Sequence, residues 1–322
     1  MRTLFIGGTG KISSACSQQA IESGIDLYLL NRGQSERPIP RGATVLHGDI
    51  RDKQSVKNLL RKHRFDAVVD WIAYTPEHIE LDLELFQERV EQYIFISSAS
   101  VYQKPPNRLP ITESTPCRNP YWEYSRNKIA CEERLQRAYL ETGFPLTIVR
   151  PSHTYDCTML IVPGGATTLD RMRRGKPVIV HGDGTSLWTV THHRDFARGF
   201  VPLLGLPQAI GETVHITSDE VLTWNQIFDI IARAAGTTAE KFHVPSTVIA
   251  RHDREWGAGL LGDKAHSMIF DNAKVKKLVP GFCATIPFCR GAEEIIAWYD
   301  ADPARCAIDP DFDRLCDRLA EL

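Results

Sequence analysis

The sequence is short of the features that mark membrane, secreted or metal-binding chains. It has no run of about 18 apolar residues, so no membrane-spanning helix is expected. The N-terminal MRTLFIGGTG has no charged leader followed by an apolar stretch and a small-residue cleavage site, and reads as a first strand. Eight cysteines (Cys16, Cys117, Cys131, Cys157, Cys283, Cys289, Cys306 and Cys316) are scattered, none in a Cys-x-x-Cys pair or a metal-type cluster with histidine. They read as reduced, mostly buried thiols, no metal is expected, and the expected compartment is the cytoplasm. Net charge is also missing: 38 Lys and Arg stand against 40 Asp and Glu, a formal −2. Such a chain gains little by neutralising phosphates, which argues against nucleic acid as a partner. What remains is ordinary globular usage, 43% hydrophobic and 24% charged, with no internal repeat. At about 150 residues per domain, 322 residues make two domains or one large α/β unit.

Short apolar runs alternate with helix-length segments through the first half. Residues 3–6, 27–30, 44–46, 67–72, 93–96 and 146–149 read as strands, with helices at 13–23, 53–63, 78–88 and 125–141. That alternation predicts a parallel sheet covered on both faces. The second half is less regular. Residues 224–235 read as a helix, 257–262 as a loop, and 292–299 and 312–319 as closing helices. Arg171, Arg173, Arg174 and Lys176 read as a solvated helix end before Gly175, with a role near a substrate anion as the alternative. His192 and His193 lack further ligands at metal spacing and read as structural, and Asp195 as a cap or anchor for the helix after them.

The segment Gly7-Gly8-Thr9-Gly10-Lys11-Ile12-Ser13 follows the first strand directly. Glycines there let the backbone turn tightly and bring N–H groups close to a pyrophosphate, and the next helix adds its positive N-terminus. Ser13 stands where the usual spacing has a third glycine, which predicts a slightly wider helix–strand approach. The second strand ends Asn31-Arg32-Gly33. An acid here would repel a 2′-phosphate; Asn31 does not, and Arg32 is able to pair with it, so NADP is favoured over NAD. Asp49, after the third strand, is placed to accept from an adenine amino group, or is a surface turn residue.

Tyr124-Ser125-Arg126-Asn127-Lys128 puts Tyr and Lys on one helix face a turn apart. A nearby ammonium favours the phenolate, which predicts a lowered Tyr124 pKa and a usable acid/base. The fifth strand runs into Ser97-Ser98-Ala99-Ser100, where a serine hydroxyl reaches the substrate oxygen that Tyr124 protonates. Sites in open α/β sheets lie at the carboxyl ends of strands, so the two motifs converge.

The ordered set GGTGKIS, GDIRD, SSASVY, YSRNK and VRPS resembles the extended short-chain dehydrogenase/reductase superfamily and, within it, the NAD(P)-dependent epimerase/dehydratase family. The resemblance runs from Arg2 to about Val201. It implies a Rossmann-type, doubly wound parallel sheet with a smaller interleaved C-terminal substrate-binding region. The NAD(P)-binding part would span 1–165, with 190–212 returning to it, and the remainder of 166–322 would hold the substrate. It assigns Ser98, Tyr124 and Lys128 to catalysis. Gly7, Thr9, Gly10, Lys11, Ile12, Asn31, Arg32, Asp49, Ile50, Ala73, Tyr124, Lys128 and Pro151 would meet the cofactor. Ser98, Ser100, His153 and Trp188 would meet a small-molecule substrate, a carbohydrate or nucleotide sugar. A homodimer is expected at the level of the family.

Three departures bear on substrate. Ala99 and Ser100 replace the Asp-Glu pair with which the family's dehydratases eliminate water, so that chemistry is not expected. His153 replaces the Asn of Arg-Pro-x-Asn, and Trp188 stands where an arginine pairs with the nucleotide diphosphate. Trp188 would stack on a sugar ring or serve as a core or interface aromatic; either the substrate lacks a diphosphate, or another cation, Arg171, Arg173 or Arg174, replaces the arginine. The leading expectation is an epimerase with transient oxidation. A net NADPH-dependent ketoreductase acting on a non-nucleotide molecule is the alternative. A binding protein on the same fold, similar to plastid stem-loop RNA-binding proteins, is a third; the retained Ser98, Tyr124 and Lys128 argue against it.

Overall fold

The apolar runs assemble into one seven-stranded parallel sheet in the computed structural model, which describes residues 1–322. The strands are β1 (Arg2–Ile6), β2 (Asp26–Asn31), β3 (Thr44–His47), β4 (Ala67–Asp70), β5 (Gln92–Ile96) and β6 (Leu146–Pro151). The seventh, Thr213–Ile216, pairs with β6 at one edge, and the order across the sheet continues β5, β4, β1, β2, β3. β4, β5 and β6 are buried along their whole length because helices cover both faces.

One face carries α1 (Ser13–Glu22) and the helix His193–Phe200, packed over Phe5, Leu29 and Val69. The other carries α2 (Lys53–Leu60), α3 (Pro76–Phe86) and α4 (Glu123–Thr142), with Ile79, Leu83, Cys131 and Leu135 against Val68, Tyr93 and Phe95. α4 ends at Gly143 in a left-handed conformation, which satisfies its last carbonyls.

A third core joins the C-terminal helices Trp224–Ala234 and Phe288–Asp300 to the segments 153–190, with Trp188, Trp224 and Tyr155 at its centre. Trp224–Ala234 starts from a capping box in which Thr223 and Gln226 satisfy each other's backbone N–H. The glycine-rich stretch expected as a loop is helical instead. Asp253 caps Arg254–Gly259, and the chain continues as a π-helical turn, Leu260–Lys264. Its glycines serve close packing: a Cβ on Gly257 would collide with Ala250, and one on Gly262 would lie 2.7 Å from Trp122 Cβ. No helix is long and apolar enough to cross a membrane.

Candidate active site

The turn after β1 is built for backbone exposure. Gly7 has φ +84°, and a Cβ there would lie 2.6 Å from Ile72 Cγ2. Ser13 closes the turn: its hydroxyl donates to the Gly7 carbonyl at 2.9 Å and accepts from the Gly10 N–H at 2.7 Å. Ser13 thus serves as a hydrogen-bonded staple across the turn where the usual spacing has a glycine. Close packing is held one residue on, where Ser17 donates to the Gly8 carbonyl at 2.7 Å.

A groove of about 290 Å³ opens beside this turn. Gly7, Thr9, Gly10, Asn31, Arg32, Asp49 and Ile50 line it, as do Ser35, Arg37 and His47, which sequence reasoning did not single out. Lys11 and Ile12 do not line it; Lys11 is exposed, and its carbonyl accepts from His193 Nδ1 at 3.2 Å. Arg32 is exposed and Asp49 half-buried, and they stand 3.9 Å apart. The cramped glycine backbone, the helix N-terminus and the groove at the ends of β1 and β2 fit a dinucleotide.

Lys128 is 1% exposed and donates to the carbonyls of Ala73 and Ile96, both at 2.7 Å. Those bonds tie α4 to the ends of β4 and β5. Ala73 is itself buried; its N–H donates to Asp70 Oδ1 at 2.7 Å and its carbonyl accepts from Lys128. Burial lowers Lys128 to about 8, against the opposing charge of Asp70. Tyr124, a turn earlier, is raised to about 12 by burial, with its hydrogen bond to Ser98 acting the other way. The lowered phenol expected from the Tyr–Lys spacing is thus reversed in the chain alone. Lys128 Nζ is 5.9 Å from the Tyr124 ring centre, and burial is the largest influence on the phenol.

Ser98 and Tyr124 face a second cavity of about 300 Å³. Ser100, His153 and Trp188 line it too, and so does Pro151, which does not line the groove beside the glycine turn. Ser98 Oγ and Ser100 Oγ are 2.9 Å apart, and fully buried Ser125 donates to Ser100 at 2.8 Å. The Trp188 indole N–H donates to His153 Nδ1 at 3.1 Å. Burial, with Lys264 nearby, lowers His153 to about 3.

Asp263 and Lys264 complete the wall from the π-helical turn. The Lys264 carbonyl accepts from His181 at 2.9 Å and Trp224 at 3.1 Å, and its Nζ lies 5.3 Å from the Trp122 ring and 5.9 Å from that of Trp188. Asp263 is 3.3 Å from the ammonium of buried Lys104. A neighbouring cavity of about 440 Å³ shares Trp122, His153, Met159 and Lys264.

The basic cluster proposed as a source of the missing cation is committed elsewhere. Arg171 is fully buried and pairs with Asp313 at 2.5 Å and Asp317 at 2.8 Å, clamping the C-terminal helix Pro310–Ala320. Arg173 pairs with Asp300, Arg174 with Asp170 and Lys176 with Asp317. His192 caps the helix that follows it by accepting from Arg194 N–H, and buried Asp195 accepts from the Ile286 N–H at 2.8 Å. No group of three or more His, Cys, Asp or Glu is placed to hold a metal ion.

A parallel sheet in this strand order, with polar side chains gathered where the strands end, is a Rossmann-type doubly wound fold. Residues 3–217 match the model of the NAD dependent epimerase/dehydratase family, and the chain belongs to that family. Among curated proteins it is similar to 2′-dehydrokanamycin reductase of Streptomyces kanamyceticus, 23% identical over 88% of this chain and 80% of that one. It is also similar to the chloroplast stem-loop binding protein of 41 kDa b of Arabidopsis thaliana, 28% identical over 73% of this chain and 63% of that protein. A UDP-glucose 4-epimerase of Lactobacillus helveticus is 30% identical over 47% of this chain and 51% of its own length. The chain thus spans half to two thirds of the last two. Among solved structures, an epimerase from Methanothermobacter thermautotrophicus superposes with a TM-score of 0.77 at 18% identity, covering 95% of this chain and 94% of that one, which bears on the fold.

Proposed function

We propose that the protein transfers a hydride at a carbinol carbon of a sugar or nucleotide-sugar-like substrate, with Tyr124 as the acid/base. The observation that carries this reading is the shared cavity wall of Tyr124 and Ser98, with Lys128 buried one helical turn away. Bound NAD(P) supplies the hydride acceptor or donor. Ser98 hydrogen-bonds the reacting oxygen. Tyr124 takes that oxygen's proton on oxidation and returns it on reduction. Two N–H groups of Lys128 are held by Ala73 and Ile96, which leaves its third for a ribose hydroxyl. Arg32, exposed on the groove, favours NADP through the 2′-phosphate.

Elimination of water is not part of this reading. Positions 99 and 100 are Ala and Ser, and the cavity's carboxylate, Asp263, is paired with Lys104. Epimerisation leads, since relatives named UDP-glucose 4-epimerase align with the chain. Net reduction of a ketone on a non-nucleotide sugar is the second reading. It is favoured by the uncharged Trp188 and by similarity over most of the chain to 2′-dehydrokanamycin reductase.

The test is turnover by protein loaded with NAD or NADP, using UDP-glucose, UDP-galactose and unphosphorylated keto sugars as probes. Interconversion without net change in nicotinamide absorbance supports epimerisation, and stoichiometric NADPH consumption supports reduction. A protein that binds neither nucleotide, yet shifts RNA in a salt-sensitive way, contradicts both.

A further inference from the structure

Two of the chain's departures from its family touch each other. His153 and Trp188 lie 35 residues apart, on segments that meet at the substrate cavity. An indole nitrogen carries a hydrogen and has no lone pair to accept with, so its bond to His153 runs one way only. Nδ1 is the acceptor and bears no proton, and a neutral imidazole then carries its proton on Nε2. Trp188 is held to do this: it is 3% exposed, and its ring packs 5.4 Å from that of Trp224. Beside His153, Lys264 supplies positive charge in a largely desolvated space, and a second cation there is disfavoured. No protein atom accepts from Nε2, and His153 lines both adjoining cavities.

We propose that His153 and Trp188 act as one specificity unit: the indole fixes His153 as its Nε2–H tautomer, and that N–H is an uncharged donor open to an oxygen of the substrate. The proposal deepens the carbohydrate reading above and rests on it only for the identity of that oxygen. A neutral donor suits a hydroxyl, ring or glycosidic oxygen. It does not reproduce the charge of an arginine facing a diphosphate, so Trp188 is a positioning residue in place of a binding cation.

The experiment is nitrogen-15 NMR of the histidine rings in the full chain loaded with NADP, from about pH 5 to about pH 9. His153 is identified by the signals lost in His153→Gln. The expected pattern is a neutral ring protonated on Nε2 throughout, whose N–H exchanges with water. Trp188→Phe, which keeps the ring and removes the donor, is expected to give mixed tautomers and titration shifted toward the ordinary range near about 6.5. A wild-type ring protonated on Nδ1, an Nε2–H protected from exchange, or a Trp188→Phe pattern like the wild type overturns the proposal. Should Trp188→Phe not fold, the wild-type spectrum alone decides the tautomer. The spectra need no turnover, so a wrong reaction class and a wrong tautomer give separate results.

Discussion

Ser125 donates its hydroxyl to Ser100 Oγ at 2.8 Å, a side-chain link between the helix bearing Tyr124 and the segment bearing Ser98. Ser100 in turn lies 2.9 Å from Ser98 Oγ, and Ser98 also accepts from the Ser100 N–H at 3.2 Å. Either hydroxyl of the Ser98–Ser100 pair can donate; with Ser100 as the donor, Ser98 keeps its own hydrogen for the phenol or the substrate. Ser125→Ala removes the first link without touching the cavity. A lost neutral hydrogen bond is worth about 1 kcal/mol, so kcat should fall by about fivefold while cofactor affinity holds. Steady-state kinetics beside a cofactor titration checks this, and restoration by Ser125→Thr separates the hydroxyl from packing.

Gly7 is where the backbone must pass closest to Ile72. Gly7→Ala puts a methyl 2.6 Å from Ile72 Cγ2 at a φ of +84°. Cofactor affinity should fall by about tenfold or more and stability by about 1–3 kcal/mol, read by calorimetric binding and by denaturant unfolding.

Arg32 separates the two cofactors. Arg32→Ala removes a cation that is exposed on the groove and 3.9 Å from Asp49. The Kd for NADP should rise about tenfold or more, because a charge-assisted bond is worth about 1.5–3 kcal/mol. The Kd for NAD should move little, and equal changes for both would remove Arg32 from 2′-phosphate recognition.

The buried histidines set an acid limit. Burial lowers His153 to about 3 and His181 and His193 to about 4. Each is ordinary, near about 6.5, in the unfolded chain. Below that value the unfolded state binds protons that the native state refuses, so stability present above pH of about 6.5 is lost toward pH of about 4. Each group contributes at most about 1.4 kcal/mol per pH unit to this slope. Denaturant unfolding across the window should show the loss, and His153→Gln should make it shallower.

The strands, the glycine turn and the Tyr–Lys helix were legible because each is a local pattern: period, turn chemistry and helical spacing need only neighbours in sequence. Ser98, Ser100, His153 and Trp188 were legible by position, and the fold brings all of them to one wall. Asp263 and Lys264 were not. They follow a glycine-rich stretch that reads as a loop, yet it is helical and packs closely against Trp122 and Ala250. Arg171 was misread for a related reason, since its partner Asp313 lies 142 residues away. The direction of the Tyr124 shift was misread because spacing reveals a neighbouring charge and not the burial that raises the phenol.

The most direct test is Tyr124→Phe. The change deletes the phenolic hydroxyl and keeps the ring that packs 5.0 Å from Trp122. Measured as single-turnover hydride transfer in protein loaded with NADP, the rate should fall by about a thousandfold, the scale of a lost acid/base, with nucleotide affinity within about twofold of wild type. Hydride transfer at the wild-type rate in that variant contradicts the account.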